Sequence, residues 1–153
     1  MTRVAIIGAG PSGVSSAVNC AKKGLNVLII DSNSNSGGQI YRAPPKTYKS
    51  TPGNNLEENE IQKKLSEEIK KFKIETAYNH TVWQVSPGFK VNAFNETSTI
   101  QWQSKSLIIA TGTYEKIIPF EGWTIPGVIG LAACTIILKA HHFIPSKKIV
   151  LAG

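Results

Sequence analysis

Val4-Ala5-Ile6-Ile7-Gly8-Ala9-Gly10-Pro11-Ser12-Gly13 is the stretch that decides the fold. Four apolar residues in an unbroken run read as a parallel strand buried on both faces, and the run enters a Gly-x-Gly-x-x-Gly turn with no spacer. Beyond the turn, Val14, Ala17, Val18, Ala21 and Leu25 recur at helical spacing. Pro11 suits the first helical position and Gly24 the residue that stops the helix. Asn26–Ile30 then reads as a second strand, closed by Asp31 18 residues after Gly13.

A strand, a glycine turn opening a helix, and a second strand ending in an acid together make the dinucleotide-binding pattern, which the glycines alone would not. Gly8 permits the tight turn, Gly10 has no side chain to keep a pyrophosphate from the backbone, and Gly13 lets the helix pack close to the strand. The first helical turn, with Pro11 and Ser12, offers free N–H groups and the positive end of the helix dipole to the phosphates. Asp31 is placed to accept hydrogen bonds from the adenosine ribose hydroxyls and to repel a 2′-phosphate.

Further along, Ser32–Ser36 and the Pro-, Lys- and Thr-rich segment to about Asn55 read as surface loop. Asn54 and Glu57 can form a capping box for a helix whose apolar face is Ile61, Leu65, Ile69 and Phe72. Ile74–Ala77 reads as a third parallel strand. Val82–Ser86, Phe89–Phe94 and Thr99–Gln103, separated by Pro87-Gly88 and Asn95-Glu96, read as an antiparallel β-meander. Ser106–Ala110 returns to a buried parallel strand leading into Thr111-Gly112, and Gly130–Ala140 reads as another helix.

At 153 residues the chain holds about one domain, and an apolar fraction of 41% is that of a globular protein rather than a disordered one. The uncharged, apolar-rich stretch Trp123–Leu138 is interrupted by Pro126, Gly127 and Gly130 and falls short of the roughly 20 apolar residues a bilayer span needs. With no transmembrane segment and no signal-peptide core, a cytoplasmic location is expected. Cys20 and Cys134 lie too far apart in sequence for a Cys-x-x-Cys dithiol and read as buried thiols. The net charge of +7 raises the question of nucleic acid. However, Lys70, Lys71 and Lys73 end a helix whose first turn carries Glu57, Glu58 and Glu60, the distribution a helix dipole favours, so no nucleic-acid partner is expected. No metal site and no catalytic acid, base or nucleophile stands out. His80, His141 and His142 read as surface or packing residues, and Trp83, Trp102 and Trp123 as core or loop anchors.

One internal echo bears on the whole chain: Arg3-Val4-Ala5-Ile6-Ile7-Gly8 returns as Lys148-Ile149-Val150-Leu151-Ala152-Gly153. The second copy reads as the opening strand of another dinucleotide-binding unit, cut at its first glycine and left as an exposed edge.

Gly8–Gly13, Asp31, Gly37-Gly38-Gln39-Ile40-Tyr41-Arg42 and Ala110-Thr111-Gly112-Thr113-Tyr114-Glu115 together resemble the two-dinucleotide-binding-domain flavoproteins. Ile118–Val128 is similar to the corresponding segment of FAD-dependent amine and amino-acid dehydrogenases, a group that includes hydrogen cyanide synthase B subunits, opine oxidase A subunits and dye-linked proline dehydrogenase subunits. The resemblance covers nearly the whole chain but only the N-terminal third or so of such a protein. It implies an α/β, Rossmann-like FAD-binding fold with a parallel sheet and an antiparallel meander, apparently truncated. Residues 1–147 would be the incomplete FAD-binding domain, and 148–153 the first strand of a second dinucleotide-binding domain.

The resemblance further implies FAD as cofactor, with the pyrophosphate at Gly8, Gly10 and Gly13 and the ribose at Asp31. Gly38, Gln39 and Arg42 would lie along the phosphate and ribityl side, the backbone of Val82 would meet adenine, and Thr111 and Gly112 would form the turn that passes close to the cofactor. No NAD(P) site is expected in this chain. The family's partners would be an electron acceptor and a second flavoprotein subunit; its substrate would be a small amine or amino acid oxidised by hydride transfer to flavin. The chain departs from the family at Ala132 and Thr135, where Gly and Gln are usual. It is expected to be inactive by itself; the alternatives are a non-catalytic remnant or nucleotide-binding module, and a relative of the pyridine nucleotide disulfide reductases.

Overall fold

The computed structural model describes residues 4–41, 56–141 and 148–152. Its elements run β1 (Val4–Ile7), α1 (Pro11–Lys22), β2 (Val27–Ile30), α2 (Leu56–Lys71), β3 (Glu75–Ala77), β4 (Thr81–Ser86), β5 (Lys90–Phe94), β6 (Thr99–Gln103), β7 (Ser106–Ile109) and α3 (Leu131–His141). They fall into two compact units: the described residues up to Tyr41 together with Leu56–Gly112, and the described residues from Thr113 onward.

The first unit is Rossmann-like. Its parallel sheet has the order β3-β2-β1-β7, with Val4 opposite both Val27 and Ser106. A separate antiparallel sheet of order β4-β5-β6 is the expected meander. The alternation of strand side chains sorts the core into two halves. Val4, Ile6, Val27 and Ile29 point to one face, where Val14, Ala17 and Val18 of α1 and Ile69 of α2 meet them. Ala5, Leu28 and Ile30 point to the other, against Val91 and Ala93 of the meander. Helices, parallel sheet and meander thus form three layers, which is why the first strands are continuously apolar. Ile29 is fully buried, and its truncation to alanine would cost about 2–5 kcal/mol.

α1 ends where the sequence places its stop. The Leu25 N–H reaches the Cys20 carbonyl at 3.2 Å and the Gly24 N–H the Ala21 carbonyl at 2.9 Å, a Schellman cap with Gly24 at φ +75°. α2 carries Ile69 and, partly buried, Leu65 and Phe72 on its inner face. Asn54, the capping residue expected for α2, lies outside the described residues, as does Arg42.

Three expectations need correction. Ser106–Ala110 is parallel but not a buried strand: β7 is the outer strand of the sheet and Ile109 is 69% exposed, because among the described residues no strand lies beyond it. Lys148–Ala152 is not in a strand, and Val150 is 94% exposed. Trp83 is an exposed strand residue rather than a core or loop anchor, in a β-bulge where the β4–β5 register shifts between Val82 and Gln84, whereas Trp123 lies in a turn closed by its N–H on the Phe120 carbonyl. Trp102 does anchor, packing edge-on against His80 with ring centroids 5.5 Å apart.

In the second unit, Phe120–Val128 is a chain of tight turns, and α3 follows it. Tyr114, Ile118 and Phe120 are exposed. None of the described helices is long and apolar enough to cross a membrane.

Candidate functional site

The strand order sets the location. The chain leaves β1 through α1 to reach β2 on one side, while β7 pairs on the other, so the carboxyl end of β1 opens at the point where the order reverses. Three backbone segments meet there: the Gly8–Gly13 turn, the 36–41 turn and the residues following β7.

Each fingerprint glycine has its own reason. Gly8 has φ +107°, and a Cβ on it would overlap the Ala110 carbonyl oxygen and lie 3.2 Å from the Thr111 nitrogen. A Cβ on Gly13 would overlap the Gly8 carbonyl oxygen. Those two are required by the fold, since they let β1, α1 and the β7 turn approach one another. Gly10 is different. It has φ −70° and ψ 178°, a conformation open to any residue, and the nearest atom to a Cβ would be the Gly38 Cα at 3.9 Å. Nothing within the described chain demands glycine there.

Gly10 is also the N-cap of α1, a position where Ser, Thr, Asp and Asn lead. It makes no side-chain cap, and the first turn contains no acidic residue. Val14 takes the Gly10 carbonyl at 3.0 Å, and Pro11 has no N–H. The first-turn N–H groups of Ser12 and Gly13 therefore precede the intrahelical ladder and are presented with the positive helix end. A diphosphate fits this arrangement: unblocked donors, clearance above Gly10, and no competing carboxylate.

Asp31, 8% exposed at the end of β2, has a structural role that the sequence does not disclose. Its Oδ2 accepts from the Ala9 N–H at 2.5 Å, and its Oδ1 accepts from the Asn33 backbone N–H at 2.7 Å and from Asn33 Nδ2 at 2.8 Å. A carboxylate has about four acceptor sites, so one remains for a ribose hydroxyl unless Asn33 moves away. Asp31 thus fixes the glycine turn as well as offering an acceptor.

The 36–41 turn is held just as closely. Gly37 donates to the Ala9 carbonyl at 2.9 Å, and a Cβ on Gly38 would lie 3.0 Å from the Gly10 Cα, so the two turns touch backbone to backbone. Ser36, expected within a surface loop, is 2% exposed. Its hydroxyl meets Ser66 Oγ at 2.9 Å and hydrogen-bonds to Tyr78, and its carbonyl accepts from Gln62 Nε2 at 3.0 Å. The polar contacts explain the burial. Burial raises the Tyr78 phenol above its usual pKa, the Ser36 hydrogen bond opposes this, and the Asp31 charge adds to the rise.

Ala110 donates to the Ile7 carbonyl at 2.8 Å, seating Thr111 and Gly112 beside Gly8, and nothing lies within 4 Å of a Cβ built on Gly112. Gly8, Gly10, Pro11, Ser12, Gly13, Asp31, Gly38, Thr111 and Gly112 are therefore gathered at one end of the parallel sheet. Gln39 follows Gly38 and is exposed. Val82 lies in β4 opposite Ala93 and packs against the core half formed by Leu28 and Ile30.

Two residues make contacts that the sequence did not signal. Glu115 in the second unit accepts from the Ala132 N–H at 3.2 Å, capping α3, and Gly130 makes room for it: a Cβ there would overlap Oε2. Thr135 donates to the Leu131 carbonyl within α3 at 2.8 Å. His80 is held at both ring nitrogens, with Nδ1 2.6 Å from the Tyr78 carbonyl and Nε2 3.1 Å from Asn95 Nδ2. Asn95 Oδ1 already accepts from the backbone and hydroxyl groups of Thr97 and Ser98, so the amide nitrogen faces the ring and the His80 proton sits on Nδ1.

Comparison with known proteins agrees with this fold. The family described as pyridine nucleotide-disulphide oxidoreductase matches residues 2–151. The A subunit of opine oxidase from Agrobacterium tumefaciens is 31% identical over 97% of this chain and 31% of its own length. The HcnB subunit of hydrogen cyanide synthase from Pseudomonas protegens is 26% identical over 97% of this chain and 32% of its own. The crystal structure of L-proline dehydrogenase from P. horikoshii superimposes with a TM-score of 0.74 at 22% identity, covering 94% of this chain and 29% of that one, which is a likeness of fold. The chain thus spans about a third of the length of these curated relatives.

Proposed function

This chain belongs to the pyridine nucleotide-disulphide oxidoreductase family, an FAD-binding family, and on that premise we propose that it is the FAD-binding portion of an oxidoreductase that acts on an amine or amino acid. The observation that carries the cofactor reading is Gly10, a glycine that neither backbone angle nor packing among the described residues requires, set at the N-terminal end of α1 just before Ser12 and Gly13. In this reading Gly8, Gly10, Gly13 and Gly38 line the diphosphate, Asp31 takes a ribose hydroxyl, Thr111 and Gly112 pass beside the cofactor, and Gln39, Arg42 and Val82 complete the contacts. FAD when bound supplies the hydride-accepting chemistry. The chain supplies binding and orientation: helix-end donors for negative charge and a carboxylate held in place by Asn33.

The substrate class rests on the opine oxidase and hydrogen cyanide synthase relatives, the first of which is named for the oxidation of opines. Both relatives are subunits, so an electron acceptor and a second polypeptide belong to the proposal, as does a requirement for further protein beyond these residues before an amine can be oxidised. No NAD(P) site is proposed within this chain.

The test is direct. The purified chain is mixed with FAD, desalted and read for flavin absorbance, and the released nucleotide is identified. Near-stoichiometric FAD supports the reading, after which bleaching of the bound flavin by candidate amines, with and without a second polypeptide, addresses the reaction. A colourless protein that retains no added FAD would sink the cofactor assignment for this chain and favour a non-catalytic remnant.

A further inference from the structure

The end of the parallel sheet away from the glycine turns carries a second feature. α1 and α2 finish side by side there, and between their ends an open groove of about 430 Å³ is lined by Gly24, Asn26, Phe72, Lys73 and Glu75 among others. Both helices close with the same cap. In α2 the Ile74 N–H reaches the Ile69 carbonyl at 3.0 Å and the Lys73 N–H the Lys70 carbonyl at 3.1 Å, so Lys73 occupies the left-handed position that Gly24 occupies in α1. Its φ is +50°, a conformation in which glycine is favoured. The chain places a charged side chain where the backbone prefers none.

Four more lysines lie on the same two helix ends. Lys22 and Lys71 hold their Nζ atoms 5.5 and 5.7 Å from the centroid of the Phe72 ring that lines the groove. Lys23 and Lys70 are exposed on the same two helix ends. In sequence Lys70, Lys71 and Lys73 read only as a helix end, and Lys22 and Lys23 belong to a different helix; the packing of α1 on α2 brings the two ends together. The two helix ends contribute about half a negative charge each and Glu75 one more, with Glu67 and Glu68 a turn further back on α2, so positive charge dominates at the groove.

We infer that this groove is a docking surface for an acidic segment of a partner protein. The charges come from the ends of the two helices that flank an open groove, with Lys73 in its lining and Lys22 and Lys71 over the Phe72 ring, which suits several carboxylates on an extended chain. The helix C-termini there present carbonyls rather than the free N–H groups that cradle a single compact anion, so the lysine side chains are the groups that would hold an acidic segment. The surface lies a full strand length, roughly 13 Å, from the carboxyl ends of β1 and β2, so an occupant would leave the glycine turns clear.

Fluorescence anisotropy of labelled poly-L-glutamate, titrated with the full chain at several sodium chloride concentrations, tests the inference. Binding is expected at low salt and should weaken as salt rises. The pair Lys22→Gln and Lys71→Gln should weaken it by up to about fivefold per lysine, whereas Lys90→Gln with Lys105→Gln, an equal loss of charge elsewhere, should leave it within about 1.5-fold of the parent, the low end of a surface charge effect. Lys73→Gly should weaken binding while folding at least as stably, because it installs the residue the cap prefers. The inference is overturned if poly-L-glutamate does not bind, if the control pair weakens binding equally, or if a labelled oligothymidylate of the same charge binds more tightly than the polypeptide.

Discussion

Gly10→Ala separates a residue kept for a ligand from one kept for the fold. Its φ and ψ suit alanine, and a new methyl would meet the Gly38 Cα at 3.9 Å, an ordinary contact. Alanine in a permitted conformation gains about 0.4–1 kcal/mol by restricting the unfolded chain. As an N-cap it loses about 0.5–1 kcal/mol relative to glycine. The two nearly cancel, leaving a melting temperature within about 2 °C of the parent for a chain of this size. Gly13→Ala puts its methyl onto the Gly8 carbonyl oxygen in the heart of the β1–α1 turn; overpacking of that kind costs about 1–3 kcal/mol, or about 3–10 °C. FAD affinity should divide the variants differently. A methyl at position 10 that displaces one charge-assisted N–H contact, worth about 1.5–3 kcal/mol, should weaken FAD by about 10- to 100-fold. Thermal denaturation without FAD, paired with titration of FAD by flavin fluorescence, reads both quantities. If Gly10→Ala binds FAD as the parent does, or melts as low as Gly13→Ala, the reasoning about Gly10 is wrong.

Two further predictions concern stability. Because burial and the Asp31 charge hold the Tyr78 phenol above its unfolded value of about 10, the folded chain keeps that proton longer than the unfolded chain as pH rises. The contribution is present in full below pH 10 and is lost as pH climbs through the raised folded value. Melting curves from pH 9 upward should therefore fall more steeply for the parent than for Tyr78→Phe, and parallel slopes would contradict the assignment. Glu115→Ala should remove the cap of α3 at a cost of about 0.5–1 kcal/mol, visible as faster amide exchange at Ala132 and Cys134; unchanged exchange would mean that the bond to Ala132 does not hold the helix end.

Much of the fold was legible because it is written in local patterns. β1, α1 and β2 follow from an apolar run, a helical period and a second run, and the glycine stop at Gly24 is where the Schellman cap forms. The meander announced itself through alternation and turn dipeptides. At the site, the glycine turn and Asp31 were legible for the same reason: phosphate binding needs small residues at fixed intervals along one stretch of chain.

What sequence alone determined is the dinucleotide-binding unit and the acid at its second strand, since both depend on spacing along the chain. Only tertiary structure decided the rest. It separated Gly8 and Gly13, which the packing requires, from Gly10, which it does not. It showed that Asp31 commits most of its acceptor capacity to Ala9 and Asn33, buried Ser36 between Ser66 and Tyr78, assigned Glu115 to a helix it precedes by 16 residues, exposed β7 as an outer strand, and joined the lysines of two helix ends around one groove. Each of these depends on hydrogen bonds or contacts between segments far apart in sequence, and neither the period of a helix nor the alternation of a strand specifies which distant segment will supply the partner.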